Sequence, residues 1–116
     1  MPNPPLKIYF DGGCRPNPGA MEIAVVIRGI VHHIDDLGTG TNSDAEWLAL
    51  LHALRLAQAA GVEDFVLLGD SAVVIGQARG IAKCRGADLR RHLDAFHALA
   101  AGRPRVRIRK IGRAQN

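Results

Sequence analysis

Leu6-Lys7-Ile8-Tyr9-Phe10-Asp11, followed at once by Gly12-Gly13-Cys14-Arg15-Pro16-Asn17-Pro18-Gly19, is the stretch from which the fold can be read. The apolar run predicts a core strand, and the glycines, prolines and asparagine after it predict a turn-rich segment. An acid closing a core strand is costly unless something cationic sits beside it. Two further acids repeat the arrangement: Glu46 early in an expected helix, and Asp70 at the end of a second apolar run, Phe65-Val66-Leu67-Leu68-Gly69. Three carboxylates converging on one sheet edge would make a divalent-metal site.

Working outward, 116 residues correspond to one domain spanning 1–116, with 1–5 as a loose N-terminal end. The 47% hydrophobic residues are spread over short stretches among 22% charged ones, the composition of a soluble globular protein. No run approaches the roughly 20 apolar residues of a membrane span, and the first residues lack a signal peptide's apolar segment. A cytoplasmic location without membrane association is therefore expected. Cys14 and Cys84 are isolated in expected loops, with no zinc-ligand spacing, and should be reduced thiols. The net charge of +4 and pI near 9.7 favour an anionic partner. Arg79, Lys83 and Arg85 crowd one loop, and Arg103, Arg105, Arg107, Arg109, Lys110 and Arg113 crowd the last stretch. Each cluster taken alone reads as a solvated face.

Periodicity predicts strands at 6–11, 21–28, 30–37, 64–69 and 105–110, and helices at 42–60, 71–79 and 87–101. In the first helix Trp47, Leu50, Leu51 and Leu54 form one apolar stripe; Asn42 or Ser43 would cap it and Gly61 end it. The order β-β-β-α-β-α-α-β predicts three hairpin-connected strands and a right-handed helical crossover to a parallel strand. With strand 64–69 beside strand 6–11, Asp11 and Asp70 emerge together, and the crossover helix brings Glu46 over them. Such a triad can hold two hard cations about 3.5–4 Å apart around a scissile phosphate.

Asp11-Gly12-Gly13 with Asn17-Pro18-Gly19, Thr41-Asn42-Ser43-Asp44-Ala45-Glu46 with Leu50 and Ala53-Leu54, and Gly69-Asp70-Ser71 with Val74-Ile75 together resemble the type 1 ribonuclease H family. The similarity runs from about Leu6 to the end, where Ile111 to Asn116 looks like the start of the family's final motif. The resemblance implies an α/β, ribonuclease H-like fold: a five-stranded mixed sheet, its first three strands antiparallel, flanked by helices. It implies metal-dependent endonucleolytic cleavage of the RNA strand of RNA–DNA hybrids, with Mg2+ as cofactor and Mn2+ as substitute. Asp11, Glu46 and Asp70 would be the catalytic metal-binding carboxylates. Gly12, Asn17, Thr41 and Asn42 fall where the family contacts substrate, the two asparagines reading ribose 2′-hydroxyls. Arg79, Lys83 and Arg85 would contact phosphates.

Each residue also has a simpler account. Asp11 before two glycines, and Asn17 between prolines, are ordinary turn residues. Asp70 would cap the following helix, and Glu46 would suit a helix N-terminus. Trp47 reads as a core anchor, and all five histidines as surface or edge residues. The sequence also departs from the family pattern. No Asp or Glu follows Asp94, where the family carries a fourth acid in a C-terminal helix. Ala20, Met21 and Glu22 replace glycines that often follow the Asn-Pro-Gly turn. The expectation is reduced turnover, and apolar surface near the first and fourth strands giving a monomer or weak homo-oligomer. The alternatives are a catalytically weak or inactive hybrid-binding module, or another nuclease of the same superfold.

Overall fold

The computed structural model describes residues 4–103 and 106–116. Strands β1 (Leu6–Arg15), β2 (Gly19–Ile27) and β3 (Ile30–Ile34) form an antiparallel meander. A two-residue strand β4 (Thr39–Gly40) pairs with the start of β2 and leads into α1 (Asn42–Ala59). Then come β5 (Phe65–Gly69), α2 (Ala72–Ala78), α3 (Ala87–Ala100) and β6 (Arg107–Lys110), with a 3-10 turn at Arg113–Gln115. The main sheet runs β3-β2-β1-β5-β6, with β5 parallel to both β1 and β6. The expected mixed sheet and its crossover are present. Most of the expected loose end, residues 1–3, and Arg105 of the last expected strand lie outside the described residues.

The β2–β3 hairpin is closed by Arg28 and Gly29, both with positive φ (53° and 76°). That is the primed two-residue turn whose twist matches the flanking strands. β3 stops at Ile34 instead of reaching residue 37, because Asp36 and Gly38 also adopt positive φ and turn the chain away. β1 does not end at Asp11. It continues through Gly12, Gly13 and Cys14 to Arg15, each paired with β2, so the turn shrinks to the residues between Arg15 and Gly19. Cys14 is consequently a buried strand residue, not a loop thiol.

Thr41, one residue before the expected caps, closes α1 by a reciprocal capping box with Asp44. Trp47, Leu50, Leu51 and Leu54 join Ile8, Phe10, Val25 and Leu67 in one core. Burial of each such side chain stabilises the fold by roughly 1.5–3 kcal/mol. Phe96 of α3 meets Trp47 edge to face, ring centroids 6.3 Å apart. Among the described residues, β5 lacks the apolar surface expected at β1 and β5, Val66 and Leu68 being each 6% exposed, while Leu6 and Tyr9 of β1 are half-buried. The large apolar side chains in solvent, among the described residues, are Ile30, Val31, Val73 and Ile81. Among the described residues no helix is long and apolar enough to cross a membrane.

Candidate active site

The parallel β1–β5 ladder has its last pair at Tyr9 and Leu68. Two residues further on, Asp11 and Asp70 stand side by side where the strands part. Asp70 does not cap α2; Ser71 does, its Oγ accepting from Val74 N at 3.3 Å. Glu46 arrives from the second turn of α1, which approaches β1 closely at Gly12. A Cβ there would lie 2.2 Å from the Ala45 carbonyl oxygen, so only glycine allows the approach. Gly12 N–H donates to Glu46 Oε1 at 3.2 Å.

One ligand atom from each of Asp11, Glu46 and Asp70 lies within 4.8 Å of the others. Asp11 is exposed, Asp70 half-buried and Glu46 only 7% exposed. Burial pushes the Glu46 carboxyl up to about 8, helped by the adjoining Asp11 carboxylate and the negative charge of Asp70; the Gly12 N–H works against this. Glu46 Oε2 is buried with no partner. A buried, unpartnered carboxylate oxygen facing two more carboxylates suits a hard divalent cation, and an all-oxygen donor set favours magnesium or manganese.

Beside the triad, Asn17 and Asn42 are tied into one network. Asn17 Oδ1 accepts from Asn42 N at 3.1 Å, and Asn42 Oδ1 accepts from Cys14 N and Sγ at 3.2 and 3.3 Å. Their oxygens are thus occupied from within. Among the described residues neither amide nitrogen has a partner, and both side chains are exposed, so the donors face outward. Thr41 is held by Asp44 Oδ2, which accepts from both its N and its Oγ1 at 3.0 Å. The triad, Gly12 and Asn42 line a cavity of about 740 Å³.

Arg79, Lys83 and Arg85 do not line that cavity. Arg79 edges a groove between α2, α3 and β6, whereas Lys83 and Arg85 border a separate cleft at the start of α3. Several groups escape the sequence reading. Asn116 donates through Nδ2 to Phe10 O at 2.9 Å and to Asp70 Oδ2 at 3.4 Å. Glu22 and His33 pair at 3.4 Å on the wall of the triad's cavity. Buried Gln77 accepts from Trp47 Nε1 at 2.9 Å. Nor is His92 a simple surface residue: it is half-buried, stacked on Trp47 and 3.1 Å from Asp44. The only signal in sequence for this last contact is that His92 lies three residues after Leu89 and four before Phe96, on the edge of the apolar face of α3.

Fold and site together define a ribonuclease H-like α/β protein. The family model described as reverse transcriptase-like matches residues 9–116. Ribonuclease HI of Halobacterium salinarum is 35% identical over 116 residues, covering 96% of this chain and 58% of the relative. The bifunctional protein Rv2228c of Mycobacterium tuberculosis is 30% identical over 117 residues, with 96% of this chain and 32% of its own length matched. Thus the chain spans little more than half, or less, of these relatives. The crystal structure of RNase H1 from Halobacterium salinarum superposes with a TM-score of 0.87 at 32% identity, covering 95% of this chain and 87% of that one. LC11-RNase H1, solved in complex with an RNA/DNA hybrid, gives 0.85 at 30% identity, covering 96% and 88%. The chain belongs to the type 1 ribonuclease H family.

Proposed function

We propose that this chain is a metal-dependent endoribonuclease that cleaves the RNA strand of RNA–DNA hybrids. The observation that carries the proposal is the meeting of three carboxylates within 4.8 Å, one of them with a buried oxygen left unpartnered. Two relatives add support: one is a ribonuclease HI, and the other was solved with an RNA/DNA hybrid.

Asp11, Glu46 and Asp70 would hold magnesium, or manganese in its place, and such ions supply the Lewis acidity that activates water and neutralises charge at a scissile phosphate. The chain's own contribution is preorganisation. The β1–β5 ladder brings the segments that carry Asp11 and Asp70 together, and the close approach of α1 at Gly12 lets Glu46 reach them. The free amide donors of Asn17 and Asn42 are suited to ribose 2′-hydroxyls, the groups that distinguish an RNA strand from DNA. Gly12 lines the triad's cavity, and Thr41, which caps α1 just before Asn42, would contact the substrate beside it. Arg79, Lys83 and Arg85 lie apart from the carboxylates and would take phosphates further along the duplex. In-line attack of water on the phosphodiester would leave 5′-phosphate and 3′-hydroxyl ends. A cytoplasmic protein, monomeric or weakly self-associating, belongs to the same reading.

The test is cleavage of a labelled RNA–DNA hybrid in magnesium and in manganese, with single-stranded RNA, duplex RNA and duplex DNA as controls, beside Asp70→Asn. Metal-dependent cutting of hybrid RNA alone, lost in the variant, is the expected result. Binding of the hybrid without cutting would replace the proposal with a binding module. Preferential cutting of a control would point to another nuclease of the superfold.

A further inference from the structure

We infer that Asn116 is a positioning residue for the metal-binding carboxylates, holding Asp70 at its distance from Asp11; the inference rests on the metal-site reading above. Three features deliver Asn116 to this place. After β6, Ile111 N–H donates to Gly69 O at 2.8 Å, pinning the chain to the residue before Asp70. Gln115 Oε1 then accepts from Gly112 N at 2.8 Å and closes the 3-10 turn. Asn116 N–H donates to Arg113 O at 3.2 Å, so its side chain is directed by a turn bonded at both ends.

The amide then bridges two strands beyond the reach of their ladder. Phe10 directly precedes Asp11, and its carbonyl accepts from Asn116 Nδ2 at 2.9 Å; Asp70 Oδ2 accepts from the same nitrogen at 3.4 Å. A carbonyl and a carboxylate both need a donor, and an amide nitrogen carries two hydrogens, so the chemistry fixes which way the amide faces. One NH2 group therefore ties the backbone beside one acid to the side chain of another. The last paired residues of β1 and β5 are Tyr9 and Leu68, so no sheet bond performs this task at Asp11 and Asp70. Outer partners that orient metal-binding carboxylates typically govern metal affinity by 10–100-fold.

The experiment is magnesium and manganese titration of the full chain by calorimetry, for wild type, Asn116→Ala, the similarly sized Asn116→Leu and Asp70→Asn, with thermal unfolding of each in EDTA. Both Asn116 variants should bind magnesium about tenfold or more weakly, while unfolding close to wild type in EDTA. Unchanged affinity in both variants would overturn the inference, as would a lowered unfolding temperature with affinity intact, which would mark a purely structural residue. Asp70→Asn separates the two levels of argument. If wild type binds no metal, or binds it equally well without the Asp70 carboxylate, the metal-site reading itself fails.

Discussion

Replacing Glu46 by glutamine should flatten the pH dependence of stability in metal-free protein. In the folded chain the Glu46 carboxyl is pushed from its ordinary 4.5 up to about 8, so between those values the folded state keeps a proton that the unfolded state releases. Stability from this group is fully present below about pH 4.5 and is lost as pH rises toward 8. The limiting slope is about 1.4 kcal/mol per pH unit, or roughly 4–5 kcal/mol over the window. Because Asp11 is exposed and water reaches the cluster, about 2 kcal/mol is a reasonable lower figure. Glutamine keeps an acceptor for the Gly12 N–H but cannot ionise. The assay is urea unfolding in EDTA at about pH 5 and about pH 9 for both proteins. His52, whose pKa burial pushes down, titrates in both and cancels in the difference. Wild type should lose at least about 2 kcal/mol more than Glu46→Gln over this range. Parallel profiles would refute the claim that the cluster strains against Glu46 ionisation. Magnesium should restore wild-type stability at the alkaline end, since a cation can replace the proton.

Gly12→Ala should destabilise the fold by about 1–3 kcal/mol and weaken metal binding together, because its Cβ meets α1 backbone at 2.2 Å; calorimetric titration with intact affinity would contradict it. Gln77→Leu strands the Trp47 indole N–H in the core and should cost about 1–3 kcal/mol in urea unfolding, a change under about 0.5 kcal/mol arguing otherwise. Neutralising Arg79, Lys83 and Arg85 together should reduce the slope of log affinity for a hybrid against log salt by about 2–3, and an unchanged slope would remove these residues from the interface. Asn17→Ala should reduce preference for a hybrid over duplex DNA in competition binding, without altering magnesium titration.

Asp11 and Asp70 were legible because each follows an apolar run that it interrupts, whereas Glu46, an ordinary acid early in a helix, stood out only through the motif around it; periodicity then indicates which elements bring the three together. The extent of β1 was not. Gly12 and Gly13 carry turn chemistry in sequence, yet they serve close approach of α1 and pairing with β2. Thr41 was legible as part of a motif but not as the cap, because Asn42 and Ser43 have equal capping propensity and only the Asp44 contact decides. The Arg79, Lys83 and Arg85 cluster looked like one patch because its members are near in sequence. The end of α2 separates Arg79 from the other two. Partners such as Gln77 for Trp47, or Asn116 for Asp70, are chosen by tertiary geometry and have no local pattern.

The meander of β1 to β3 is joined by short connections, but the β1–β5 pairing that brings Asp70 to Asp11 closes a long stretch of chain. A partly folded chain holding only the meander would have one acid of the three in place. On the proposed metal-site reading, cation binding is a property of the completed topology, and a bound cation would act as a latch on the finished fold. If the β1–β5 junction forms after the main folding barrier, such a latch slows unfolding while leaving the folding rate nearly untouched.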